Sequence, residues 1–228
     1  MTALAPRSFA KARPTELCQL SGRWTGVLPE GGAMCERKYD GWRALFFRGL
    51  DRQPGLWTRS GILLLGAGHI RARLLEIEEA LGGPHFVDGE LVVGGSLAAT
   101  KLHCESGWRS GDAGTFHAFD CVPMVDWERG QCDTPLFERK AALARAIAST
   151  APDAAAWEWS AGTRGAGHGV DLVELVTDTW AFTAADVEGE AQRGWAVGHE
   201  GIVIKRADAP YVRGRSDAWL KLKRPGVD

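Results

Sequence analysis

Charged residues set within apolar, strand-like sequence are the strongest constraint on this chain. They occur as Lys38-Tyr39-Asp40-Gly41-Trp42-Arg43, Asp88-Gly89-Glu90, Phe119-Asp120, Glu200-Gly201-Ile202-Val203-Ile204-Lys205 and Lys221-Leu222-Lys223. A charge on a buried strand needs a partner, because desolvation without compensation costs several kcal/mol (roughly 2–7 even for a neutral polar group). Phe86-Val87 and Leu91-Val92-Val93 flank the pair Asp88 and Glu90, which reads as a buried strand rather than a hairpin tip. Alternation puts Asp88 and Glu90 on one face, and Trp219, Lys221 and Lys223 on one face of a later strand. Lys205 ends a β-branched run and requires an anion, for which a triphosphate is the expectation. Glu200 and Lys205 are of opposite parity, so Glu200 is expected just before that strand or at a bulge.

Helical spacing appears between these segments. Ile70, Leu74, Ile77 and Leu81 recur at that spacing and stop at Gly82-Gly83-Pro84. A second helix is expected with Thr134 as N-cap and Pro135 in its first turn, burying Leu136, Leu143 and Ile147. A third starts at Thr183, with Asp186 completing a capping-box variant. Strands are expected at 201–206 and 217–224. The order is that of an α+β fold with much antiparallel sheet.

The 228 residues, 45% of them hydrophobic, suffice for a proper core. Five cysteines, odd in number and nowhere in C-x-x-C spacing, argue against a disulfide framework and a zinc site. Without an apolar stretch long enough to cross a bilayer, the chain is expected to be soluble and cytoplasmic. The net charge of −2 hides an acidic stretch over 151–200 and a basic segment from Gly201 onward, so any grip on nucleic acid is expected to be local.

A K-x-D-G match alone carries little weight. The set of five segments in this order, spread from about residue 30 to residue 224, resembles the adenylation domain of bacterial ATP-dependent DNA ligases, within the covalent nucleotidyltransferase superfamily. That resemblance implies two antiparallel β-sheets flanked by helices, an ATP-grasp-like arrangement holding ATP. Lys38 would be the nucleophile, attacking the α-phosphorus to form lysyl-AMP and expel pyrophosphate. The attack needs a neutral amine, whereas an ordinary lysine near pKa 10.4 is protonated at pH 7. By the same resemblance Asp40 belongs to the catalytic motif and Glu36 approaches the adenine. Arg43 and Arg59 contact the ribose and the DNA-end phosphate, Glu90 binds ribose and Phe119 stacks on the purine. Lys205, Lys221 and Lys223 would stabilise the α-phosphate. Glu200, with Asp88 near the metal's water shell, would hold Mg2+ or Mn2+.

The implied partner is nicked or broken duplex DNA, and the chain is expected to act as a monomer without a membrane. Family ligases continue past the last lysine motif into an oligonucleotide-binding (OB) barrel. Here only Arg224-Pro225-Gly226-Val227-Asp228 follow, so a single domain over 1–228 is expected, with an OB-domain protein acting in trans as one possibility. Alternatives are an RNA ligase, a capping-type nucleotidyltransferase using GTP, or a non-catalytic module that binds nucleotide or DNA ends.

Overall fold

The computed structural model describes residues 17–49, 51–107, 113–151 and 172–226. Part of the acidic stretch, 152–171, lies outside the described residues. Two five-stranded sheets carry the fold. The first runs in the order β1 (Gln19–Arg23), β12 (Gly214–Lys223), β10 (Gly201–Arg206), β2 (Ala33–Lys38), β9 (Asp178–Ala181). The second runs β4 (Pro54–Thr58), β3 (Trp42–Arg48), β5 (His85–Val92), β6 (Thr115–Pro123), β8 (Val173–Leu175). Neighbours are antiparallel except β1 with β12 and β6 with β8. The short strands β7 (Gln131–Cys132) and β11 (Tyr211–Val212) pair separately.

Each sheet buries one face under helices. Helices α1 (Gly68–Ala80) and α4 (Leu136–Ser149) cover the second sheet, where Ile70, Leu74, Ile77 and Leu143 pack with Phe46, Val87 and Phe116. Helix α5 (Ala184–Ala196) covers the first sheet through Val187 and Ala191, which meet Cys35, Ile202 and Ile204. A further cluster joins Leu45, Phe47 and Phe86 of the second sheet to Trp219 of the first and to Tyr211. Strand alternation sorts the residues accordingly. Leu220 and Leu222 of β12 pack on the α5 side, which leaves Trp219, Lys221 and Lys223 on the opposite face. The remaining helices are α2 (Leu97–Glu105) and α3 (Met124–Arg129).

Helix α1 ends as expected, with Gly82 at φ 88° beyond its C-cap Leu81. The Thr183–Asp186 capping box is complete. Two boundaries differ. Pro135, not Thr134, is the N-cap of α4, because the Leu136 amide bonds outward to the Ala209 carbonyl and the Thr134 carbonyl accepts from Arg139. Strand β12 starts three residues early, since Gly214, Arg215 and Ser216 pair with β1.

The Lys38–Arg43 segment is not a hairpin turn. Lys38 ends β2 in one sheet and Trp42 begins β3 in the other, so Tyr39-Asp40-Gly41 is the crossing between sheets. A Cβ on Gly41 would lie 2.4 Å from the Leu91 carbonyl oxygen, which explains why glycine is needed there. Gly201 is required on similar grounds, with a Cβ falling 2.2 Å from the Leu222 oxygen. Gly201→Ala is expected to cost about 1–3 kcal/mol through overpacking, read by denaturant unfolding. A midpoint equal to that of the parent would contradict this reading of the contact.

Candidate active site

Three neighbouring strands of the first sheet set the site by register. Gly201 of β10 lies between Lys38 of β2 and Lys223 of β12. Val203 lies between Glu36 and Lys221, and Lys205 between Met34 and Trp219. The face formed in this way lines a cavity of about 510 Å3, closed on the other side by Arg43, Glu90 and Phe119 of the second sheet. Tyr39, Asp40, Arg59 and Leu97 contribute to the same lining.

Glu200 sits immediately before β10 and joins the two lysines that flank Gly201. Its Oε2 accepts from Lys38 Nζ at 2.5 Å, and its Oε1 lies 3.2 Å from Lys223 Nζ. Lys221 extends this basic edge. Burial and then the charges of Lys223 and Lys38 press its ammonium below the usual lysine range. Asp40 accepts a hydrogen bond from the Leu97 amide at 3.2 Å, tying the crossing loop to the first turn of α2. Tyr39 stacks on His117 with centroids 3.8 Å apart and lies beneath the Arg37 guanidinium. Burial, with Arg37 adding, pushes His117 down to about 4, so its imidazole is neutral at ordinary pH.

On the opposite wall Arg43, Glu90 and His117 share a rung of the second sheet. A bulge makes Phe119 the extra residue of β6, between Ala118 and Asp120, and only partly buried. Its ring lies 4.6 Å from the Arg43 guanidinium and 4.4 Å from Lys205 Nζ. Burial raises Glu90 to about 7, against the opposing pull of Arg43 and Lys38. For a carboxyl raised in this way, the stabilisation is complete below about pH 4.5 and is lost as pH rises through about 7. Glu90→Gln should therefore be more stable to unfolding than the parent at about pH 8, by on the order of 1–3 kcal/mol, with no gain near pH 4.5. Equal gains at both pH values would remove the ionisation argument.

Two expectations need correction. Asp88 shares the inward face with Glu90 but does not line the cavity. Fully buried, it takes Arg43 Nε and Nη2 at 2.6 Å each and the Tyr211 hydroxyl at 2.8 Å. Both oxygens are occupied within the protein, so Asp88 orients Arg43 and is not free to hold a metal's water. The anion facing Lys205 is likewise internal: Glu36 Oε2 is 2.7 Å from its ammonium. The sequence reading missed Tyr211 and Lys140. The latter reaches Glu36 Oε1 from α4 at 2.7 Å. Its signal was present, since Arg139 and Lys140 occupy the same helical stripe as Leu136 and Leu143.

Among the described residues no three His, Cys, Asp or Glu side chains converge as a metal cage. Mg2+ rarely needs one, being held by one or two carboxylates with substrate phosphates and water. Glu200, at the lysine-rich end of the cavity, fits that mode. None of the five cysteines is in a disulfide, and no described helix is long and apolar enough to cross a membrane.

Residues 23–223 match the family described as the ATP dependent DNA ligase domain. A DNA ligase of Halobacterium salinarum is 30% identical over 99% of the chain, which spans 38% of that protein's length. In structure, the ATP-dependent DNA ligase of bacteriophage T7, solved in complex with ATP, aligns at TM-score 0.67 and 15% identity over 92% of this chain and 69% of its own. The ligase domain of M. tuberculosis LigD aligns at 0.60 and 20% identity, covering 92% of this chain and 62% of that one. Chlorella virus DNA ligase-adenylate aligns at 0.62 and 17%, covering 90% and 66%. These likenesses support the fold, two sheets with flanking helices around a shared cleft. With the family match spanning nearly all of the strands that build the cavity, the chain belongs to the ATP-dependent DNA ligase domain family.

Proposed function

We propose that this chain is the adenylyltransferase domain of an ATP-dependent DNA ligase and that Lys38 carries the AMP. The observation that bears most weight is the convergence of Lys38, Glu200 and Lys223 around Gly201. Nζ of Lys38, as the neutral amine once its extra proton has passed to solvent, attacks the α-phosphorus; a nitrogen–phosphorus bond forms, the bond to the pyrophosphate oxygen breaks with release of pyrophosphate, and the nitrogen gives up a second proton. Lys221 and Lys223 face the charge that develops on the α-phosphate, as preorganised donors that need no reorganisation during the step. Phe119 offers a face for the purine, Glu90 an acceptor for a ribose hydroxyl, and Arg43 is held rigid by Asp88 beside them. A divalent ion held by Glu200 would neutralise triphosphate charge and weaken the carboxylate's hold on the Lys38 ammonium.

Transfer of AMP to a DNA 5′-phosphate and closure by a 3′-hydroxyl complete the proposed reaction. Arg59, exposed at the cavity edge, suits the DNA-end phosphate. Duplex grip is assigned to an OB domain acting with this one, in trans or in a longer chain, on nicked or broken DNA. The test is incubation with α-labelled ATP or GTP and Mg2+, followed by denaturing electrophoresis. A label from ATP that survives denaturation supports the reading. A label from GTP alone would move the chain to capping-type chemistry, and none from either would leave no adenylyltransferase.

A further inference from the structure

At the inner end of the cavity, Asp178, Lys140, Glu36 and Lys205 alternate in charge along a row buried except at Asp178, and the proposed chemistry does not use that row in full. Lys140 Nζ donates to Glu36 Oε1 at 2.7 Å, to Asp178 Oδ1 at 2.7 Å and to the Val176 carbonyl at 2.8 Å. All three of its protons are thereby placed. Glu36 uses its other oxygen, Oε2, for Lys205 at 2.7 Å. Lys205 is held otherwise by the Phe119 carbonyl at 3.3 Å and lies over the Phe119 and Trp219 rings. Two of its three protons are thereby placed, so one donor remains on a side chain that is 1% exposed and borders the cavity.

We propose that Lys140 is a positioning residue for Lys205: by occupying one oxygen of Glu36, it limits Lys205 to the other and leaves that ammonium available to bound nucleotide. The inference rests on the adenylyltransferase reading of the cavity. Without Lys140, Glu36 is free to turn both oxygens onto Lys205 and draw it away from the ligand. The neighbouring Arg139 gives a useful contrast. It forms a closed pair with Asp120, with Nε and Nη2 each 2.8 Å from a carboxylate oxygen, and no partner of that pair lines the cavity. Lys140 differs because its partner does. The charge states agree: burial opposes the Lys140 ammonium, but Glu36 and Asp178 outweigh that and raise it. Lys205 is pressed below the ordinary lysine range, first by burial and further by Lys140, while Glu36 opposes.

The test is equilibrium binding of ATP with Mg2+ to the full chain, with Lys38→Ala present throughout to prevent reaction and with thermal melting to check folding. Lys140→Met with Asp178→Asn removes one charge of each sign and so keeps the row balanced. It should weaken ATP about tenfold, the loss of one charge-assisted hydrogen bond. Lys140→Arg, which keeps the charge and the donors, should stay within about threefold of the parent. The decisive variant adds Glu36→Gln to the Lys140→Met/Asp178→Asn pair. Glutamine presents Lys205 with a single oxygen again, so ATP affinity should return to within about threefold. Unchanged affinity in the pair, or a further loss on adding Glu36→Gln, would make Lys140 a structural staple and overturn the inference. Failure of the Lys38→Ala parent itself to bind ATP would instead overturn the reading of the cavity, and the inference with it.

Discussion

Lys38→Ala is expected to abolish covalent attachment of AMP while leaving the fold intact. Lys38 is partly exposed at the end of β2, where its ammonium is tied to Glu200, so its loss should cost little stability. Its chemical loss is total, since alanine has no nucleophile. Trp42→Phe provides the control. Trp42 follows the motif on β3 and contributes to the cavity wall, and a phenylalanine there keeps an aromatic surface, so adduct formation should largely persist. Denaturing electrophoresis with α-labelled ATP reads both variants. Label retained in Lys38→Ala would transfer the role to another lysine, and Lys223, on the same carboxylate, would be tested first.

Arg139→Leu carries the largest expected change in stability. Arg139 and Asp120 are both buried, and the arginine also donates to the carbonyls of Ala209, at 3.0 Å, and Thr134. Removing the guanidinium leaves the Asp120 charge buried without its partner, which typically costs about 3–5 kcal/mol. Denaturant unfolding should show a loss of that size, and a second change, Asp120→Asn, should recover part of it by removing the stranded charge. A loss under about 1 kcal/mol would contradict this account of the pair.

Much of this was legible in the sequence where a local rule settles the structure. The strand at 201–206 follows from its β-branched run, and the parity of Glu200 against Lys205 places Glu200 outside that strand. Alternation in Trp219-Leu220-Lys221-Leu222-Lys223 separated the cavity face from the core face. What could not be read were partners supplied by distant elements. Asp88 resembles a ligand-binding carboxylate until β3 and β11 bring Arg43 and Tyr211 onto it. Lys205 calls for an anion, but nothing local distinguishes a triphosphate from Glu36, which only the β10–β2 pairing brings within reach. Tyr39-Asp40-Gly41 has the composition of a hairpin turn. Its role as a passage between sheets depends on which strands its two ends join.

The central claim is that one lysine, Lys38, receives AMP from ATP. The most direct measurement is intact mass followed by peptide mapping of the parent chain after incubation with ATP and Mg2+. The account predicts a single AMP adduct per chain, carried on the peptide containing Lys38 and not formed from GTP. An adduct on Lys223, or no adduct at any ATP concentration with the fold intact, would contradict it.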